Sequence, residues 1–171
     1  MAKTTCEMTL RFVGDPCLRE RSKPVGKVDA EILRVLEKME EIMKAEAGAG
    51  LAAPQIGVNL RMLIFAYERG GKILKVINPK ILARSEKTVV MNEGCFSVQD
   101  MDGPVFADVE RPESVVAEWA DERGCAHKKE LSGFAARVIQ HEVDHLDGIL
   151  FIDHLSSAKR EMVMRKVKKR K

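Results

Sequence analysis

Apolar residues recur at three- and four-residue steps over 28–48. Ile32, Leu36, Met39 and Met43 share one face, which predicts an amphipathic helix. Asp29 is placed to cap its start, and Gly48 lies just past its end. Further on the period shortens. Segments 61–67 and 72–79 are rich in β-formers and straddle 68–71, which contains two glycines, so they predict a hairpin. A short strand is expected at 87–93, and 114–120 with 125–131 forms a second hairpin around 121–124. The run 133–147 is apolar nearly all round, with Ser132 before it and Gly148 after it, and predicts a buried helix. A last helix, fraying toward its end, is expected over 156–171. Segment 12–25 carries Pro16, Pro24 and turn residues and reads as irregular. Strands in the middle and helices at the ends imply an α+β fold, with a helix packed into a partly antiparallel sheet. No repeat, linker or composition break divides the chain, so one domain over 1–171 is expected.

The buried helix poses a chemical question. It contains His141, Glu142 and His145 in the spacing HExxH, and Phe134 and Val138 continue the stripe on which both histidines lie. Imidazoles on a buried face need partners, either as satisfied core groups or as ligands to a divalent metal. Glu142, one step on from His141, stands where a general base for an activated water belongs. Cys95, in the stretch Glu93-Gly-Cys-Phe-Ser after a strand, offers a thiolate that completes a Cys/His/His set with a fourth position open. The Gly/Ala-rich stretch 48–58 has a single polar side chain of hydrogen-bonding length, Gln55. It reads either as a helix cap with a tight loop or as a substrate cradle with a carboxamide donor.

Composition narrows the class. With 171 residues the chain can bury a sizeable core without staples. No apolar run approaches the roughly 20 residues of a membrane span. The first dozen residues lack the apolar core of a secretory signal, so a cytoplasmic location is expected. None of the four cysteines forms a CxxC pair, and Cys6, Cys17 and Cys125 read as small buried hydrophobes. The net charge is +3, yet 159–171 alone holds eight Lys/Arg and one Glu, so the basic feature is a tail and the rest of the chain is slightly acidic. Such a tail is either a solvated end or a weak, non-specific phosphate contact.

Three stretches, 48–55, 93–97 and 140–148, resemble in order the GxGxAAxQ, EGCxS and QHExDHxxG motifs of the peptide deformylases, and 15–25 is similar to that family's N-terminal segment. The resemblance implies mixed, mainly antiparallel sheets around a central HExxH helix, with N- and C-terminal helices. It also implies hydrolysis of N-formyl-methionyl peptides to formate and a free amino terminus. Matched residue by residue, it makes Cys95, His141 and His145 the ligands of one divalent ion, most readily Fe(II), with zinc, nickel or cobalt as alternatives. Glu142 becomes general base and acid, Gln55 and the Phe96 backbone N–H the oxyanion donors, and Gly50 the backbone that pairs with the peptide. Ala49, Phe134 and Val138 are expected to line the substrate pocket. The implied partners are nascent formyl-Met chains and, through the basic 156–171 segment, the ribosome; no membrane and no specific DNA binding are expected. The sequence departs from the family pattern at Phe96, where leucine is usual, at Ala49, at Gln99, and in a longer 97–112 stretch with no arginine before Arg111. Two other readings stay in view. One is a zinc peptidase with His154 as third ligand. The other is an RNA- or ribosome-binding module.

Overall fold

The structure, a computed structural model, describes residues 7–168; Cys6 and the end of the tail, 169–171, lie outside the described residues. Helix α1 spans Ala30–Ala45, and Asp29 caps it by accepting from the Glu31 and Ile32 backbone N–H groups. Its apolar stripe is the expected one: Ile32, Leu36, Met39 and Met43 are buried, together with Val35. Leu36 and Met39 are fully buried, a gain of about 1.5–3 kcal/mol each. The helix stops differently from the expectation. Ala47, not Gly48, takes the left-handed conformation (φ 52°), and the Gly48 N–H closes the end on the Met43 carbonyl at 2.9 Å. Gly48 is small for another reason: a Cβ there would collide with the Phe96 ring.

Five strands form one antiparallel sheet. They are β1 (Gly50–Ala52), β2 (Met62–Ala66), β3 (Ile73–Arg84), β6 (Ser114–Ala120) and β7 (Ala126–Ser132), in the order β1-β2-β3-β6-β7. Both expected hairpins are present, as β2–β3 and β6–β7. The named ladders are all antiparallel, and an isolated bridge, Lys23 with Leu60, is parallel. Strand β3 runs past the expected end because its register shifts after Ile77. There Asn78 turns to φ 51° and clamps Val25, accepting from its N–H and donating to its carbonyl.

The second sheet is a two-stranded ribbon, β4 (Thr88–Asp100) against β5 (Gly103–Pro112). Strand β4 continues beyond the expected end at 93, and β5 is an addition to the expected elements. Its alternation is nonetheless regular: Val105, Val109 and Arg111 are buried while Phe106 and Glu110 are exposed. An arginine at a buried position hides that alternation from any reading of hydropathy. Within β4 the pairing passes from Gly94–Phe106 directly to Gln99–Pro104. Four residues, 95–98, therefore oppose one, Val105, in a large bulge.

Helix α2 (Gly133–Leu146) lies against β1, β2, β7 and β5. Eleven of its residues are buried, as the apolar run required. Ser132 occupies the N-cap position, but its side chain makes no capping bond. Gly148 follows the helix at φ 75°. The last helix is present as α3 (Ser157–Lys168), and the end at which fraying is expected, 169–171, lies outside the described residues. Val163 packs with Leu18, Val98, Leu150 and Phe151, in the cluster that also holds Cys95. No helix among the described residues is long and apolar enough to cross a membrane.

Candidate active site

The 3.6-residue turn of α2 puts His141 and His145 on one face, their rings 5.0 Å apart and edge to face. Cys95 meets them from β4. It lies in the bulge, where the strand bends and is free of ladder pairing, and its Sγ stands 3.2 Å from His145 Nε2. The candidate ligand atoms of Cys95, His141 and His145 all lie within 4.8 Å of one another, and all three residues are buried.

Glu93 shares the buried side of β4 with Cys95, two residues away. It accepts from His141 Nδ1 at 2.9 Å. That contact assigns the proton to Nδ1 and leaves the Nε2 lone pair for a ligand. Glu93 is itself held by three donors: Arg111 Nε at 2.7 Å, the second Arg111 arm at 3.0 Å, and Arg137 at 2.8 Å. Burial alone raises the Glu93 carboxyl, but the bonds from His141 and Arg111 outweigh it and hold the group well below the usual carboxylate range. Arg111 also reaches Asp144 at 2.6 Å, and Asp144 pairs with His154 Nε2 at 2.7 Å. His154 is thus engaged away from the Cys/His/His cluster and is no third ligand.

Glu142 lies beside the cluster. Burial pushes its carboxyl up to about 7, and its Oε2 is buried with no hydrogen-bond partner among the described residues. Its other oxygen faces Gly50, where a Cβ would stand 2.6 Å from Oε1 and 2.8 Å from Val138 Cγ1. Gln55 is oriented by its own neighbourhood. Its Oε1 accepts from the Ala52 N–H at 2.8 Å, so its Nε2 points to Ser97 Oγ at 3.2 Å and Cys95 Sγ at 3.4 Å. Phe96 sits in the bulge, so no residue of β5 is registered opposite its backbone.

An open cleft of about 410 Å³ leads to this cluster, lined by Ala49, Gly50, Gln55, Cys95, Phe96, Phe134, Val138, His141 and Glu142. Every site residue expected from the sequence is on it except His145, which is 1% exposed and lies behind. Met91, Arg69 and Phe106, which carry no signal in the sequence, complete the walls. The larger addition is the Glu93–Arg111–Arg137–Asp144 network. It has one local hint: Arg137 lies four residues before His141 in the otherwise apolar first half of α2, facing the same way.

The donor set suits a divalent ion. Burial pushes the His145 imidazole well down, and the charge of His141 adds to that, which keeps His145 neutral. At His141 burial also lowers the pKa, but Cys95 and Glu93 outweigh it and draw positive charge to the ring. A cation between the thiolate and two neutral imidazoles answers both demands.

Residues 8–161 match the polypeptide deformylase family. The chain belongs to the peptide deformylase family. A peptide deformylase from Rhizorhabdus wittichii is 45% identical over 163 residues, covering 91% of this chain and 90% of that protein. One from Thermotoga maritima is 42% identical over 158 residues, with 92% and 93% covered. The crystal structure of the Thermotoga maritima peptide deformylase superposes with a TM-score of 0.81 at 41% identity, over 87% of this chain and 97% of that one. The Ehrlichia chaffeensis peptide deformylase in complex with actinonin gives 0.88 at 36% identity, over 95% and 96%. The α+β architecture is therefore that of the peptide deformylases, which are metal-dependent hydrolases of the N-formyl group.

Proposed function

We propose that this chain removes the formyl group from the N-terminal methionine of newly made polypeptides and releases formate. Cys95, His141 and His145 hold one divalent ion for that reaction. The observation that carries this reading is the meeting, in a single cleft, of the Cys/His/His cluster with a buried carboxylate, Glu142, one oxygen of which has no partner among the described residues. A formamide is an unreactive carbonyl, and the ion supplies Lewis acidity toward the formyl oxygen and the attacking water.

The remaining work falls to the chain's own groups. Glu142 takes the proton of the attacking water and delivers it to the leaving amine, and its raised pKa suits both duties. Gln55 Nε2 and the Phe96 N–H donate to the oxyanion that develops on the formyl carbon's oxygen, a contribution of about 2.7–4 kcal/mol per donor. Strand β1 is an edge strand, and its Gly50 backbone pairs with the extended peptide. Ala49, Phe134 and Val138 flank the methionine side chain. Glu93 orients His141, and Arg111 and Arg137 hold Glu93 in place.

Ferrous iron is the proposed ion, with zinc, nickel and cobalt as alternatives that the same ligands accept. The catalytic unit is the whole chain, working in the cytoplasm on nascent polypeptides. Helix α3 presents Lys159, Arg160, Arg165, Lys166 and Lys168 to solvent, a surface for ribosomal phosphates and not for a specific DNA sequence.

Protein purified without oxygen should carry one divalent ion per chain and release formate from a formyl-Met-Ala-Ser peptide. Cys95→Ala should lose both properties. A metal-loaded wild type that leaves the formyl peptide intact, or full turnover in Cys95→Ala, would refute the proposal.

A further inference from the structure

Ser97 is fully buried and lies in the β4 bulge, where no residue of β5 is registered opposite it. Three hydrogen bonds hold it. Its N–H donates to Cys95 Sγ at 3.4 Å, its carbonyl accepts from the Val13 N–H at 2.7 Å, and its Oγ accepts from Gln55 Nε2 at 3.2 Å. The first two use the backbone and would survive a change of side chain. Only the third needs a hydroxyl. The segment that carries Val13 also holds Gln55, because the Arg11 N–H donates to the Gln55 carbonyl at 2.8 Å. Two N–H groups of one short stretch, two residues apart, thus tie the backbones of Gln55 and Ser97 to each other.

We infer that Ser97 is a positioning residue: its hydroxyl aims the carboxamide of Gln55 so that one N–H of the amide is left for the oxyanion. This role rests on the proposed function. A carboxamide offers one acceptor oxygen and two N–H donors in a plane. The Ala52 N–H takes the oxygen at 2.8 Å, which decides which end of the amide faces the site. Ser97 Oγ takes one of the two N–H groups. Because the –NH2 group is planar, the other N–H is then aimed as well, toward Cys95, whose Sγ is 3.4 Å from Nε2. Sulfur is a weak acceptor, so that N–H can turn to a formyl oxygen arriving beside the thiolate while the bond to Ser97 stays closed. Without the hydroxyl only the oxygen end of the amide is anchored. A buried N–H left without an acceptor is costly, and the –NH2 end would swing toward the sulfur, the other acceptor within its reach. A serine that merely filled the bulge would be replaceable by alanine, which lacks one oxygen atom.

The test is a double-mutant cycle on hydrolysis of formyl-Met-Ala-Ser, with wild type, Ser97→Ala, Gln55→Ala and the double variant, each with its metal content measured. Gln55→Ala should lower kcat roughly 10²–10³-fold, the cost of one oxyanion donor. Ser97→Ala should show part of that cost, about 5–50-fold in kcat, with KM within about twofold and full metal content. In the Gln55→Ala background, loss of the hydroxyl should change kcat by less than about twofold, because no amide remains to be aimed. Wild-type kcat in Ser97→Ala overturns the inference, as does a loss confined to KM. An equal loss in both backgrounds, or one accompanied by lowered metal content, also overturns it and makes Ser97 a support of the fold or of Cys95. Near wild-type turnover in Gln55→Ala removes the donor, and the role of Ser97 with it, while leaving the proposed hydrolysis intact. Absence of formate from metal-loaded wild type sinks the proposed function itself.

Discussion

The carboxylate of Glu142 stands 2.6 Å from the place where a side chain on Gly50 would begin. The same phantom carbon would press on Val138 at 2.8 Å. Glycine is required there by the closeness of an edge strand to a helix, not by backbone conformation. Gly50→Ala should therefore move Glu142 or widen the gap between β1 and α2. We expect kcat/KM for a formylated peptide to fall by about 10²-fold, the cost of a displacement near 1 Å, with metal content retained. Steady-state kinetics beside metal analysis decides; wild-type kinetics would show that the pair relaxes freely.

Glu142→Gln keeps the shape and removes the proton acceptor. Turnover should fall roughly 10²–10⁴-fold while the ion stays bound. Stability should hold or rise, because burial already disfavours the charged form of this group. Thermal melts and formate assays together test the pair of outcomes, and activity within a few-fold of wild type would take Glu142 out of the mechanism.

Glu93→Ala removes the common partner of His141, Arg111 and Arg137. Arg137 would be left buried without an anion and Arg111 with Asp144 alone, at a cost of about 3–5 kcal/mol. His141 would lose its orienting acceptor, weakening metal affinity by roughly 10–100-fold. Urea unfolding and metal competition with a chelator measure the two effects separately. A stable variant with wild-type affinity would mean that Asp144 alone can hold the network.

The cysteines should separate by environment. Burial, with help from Asp15, pushes the Cys17 thiol up to about 12, so at pH 8 it carries almost no thiolate. Cys125 is exposed, against the expectation of a small buried hydrophobe, because it follows the β6–β7 turn rather than entering the sheet. Iodoacetamide on the folded protein should label Cys125, spare Cys17 and leave formate release unchanged. Peptide mass mapping reads this out, and rapid native-state labelling of Cys17 would contradict its raised pKa.

Asp153 ties three segments together: it accepts from Arg19 and from the Leu150 N–H, and it pairs with Arg160 of α3 at 3.1 Å. Burial raises its carboxyl, but Arg19 and the Leu150 N–H outweigh that and hold it below the ordinary Asp value of 3.8. The folded pKa lies under the unfolded one. The stabilisation is thus complete above 3.8 and is lost as pH falls from there through the folded value. Asp153→Asn should lower stability at pH 7 and flatten the acid side of a stability-against-pH curve. Parallel curves for variant and wild type would contradict the linkage.

The stripes on α1 and α2, the two hairpins and the metal-ligand candidates are legible in the sequence because each depends on neighbours within a few residues or on a short motif. That is the range over which periodicity speaks. What is not legible depends on distant partners. Arg111 occupies an inward position of β5 only because Glu93, 18 residues away, and Asp144, 33 residues away, neutralise it. Arg137 is tolerated inside an apolar helix because Glu93, 44 residues away, and the Val109 carbonyl receive it. The end of α1 misleads for a related reason. Gly48 reads as a terminator, whereas its smallness serves Phe96, on a strand about which the sequence around Gly48 says nothing.

The bulge at 95–98 has a consequence for how this molecule can change. Pairing closes at Gly94–Phe106 on one side and resumes at Gln99–Pro104 on the other, so the thiol's position is pinned from below while the hairpin tip at Asp100–Gly103 hangs beyond an already irregular joint. Residues can be added or removed at that tip without transmitting a shift to Cys95. The edge of the cleft can be lengthened or trimmed there, and the chemistry beneath it is insulated from the change.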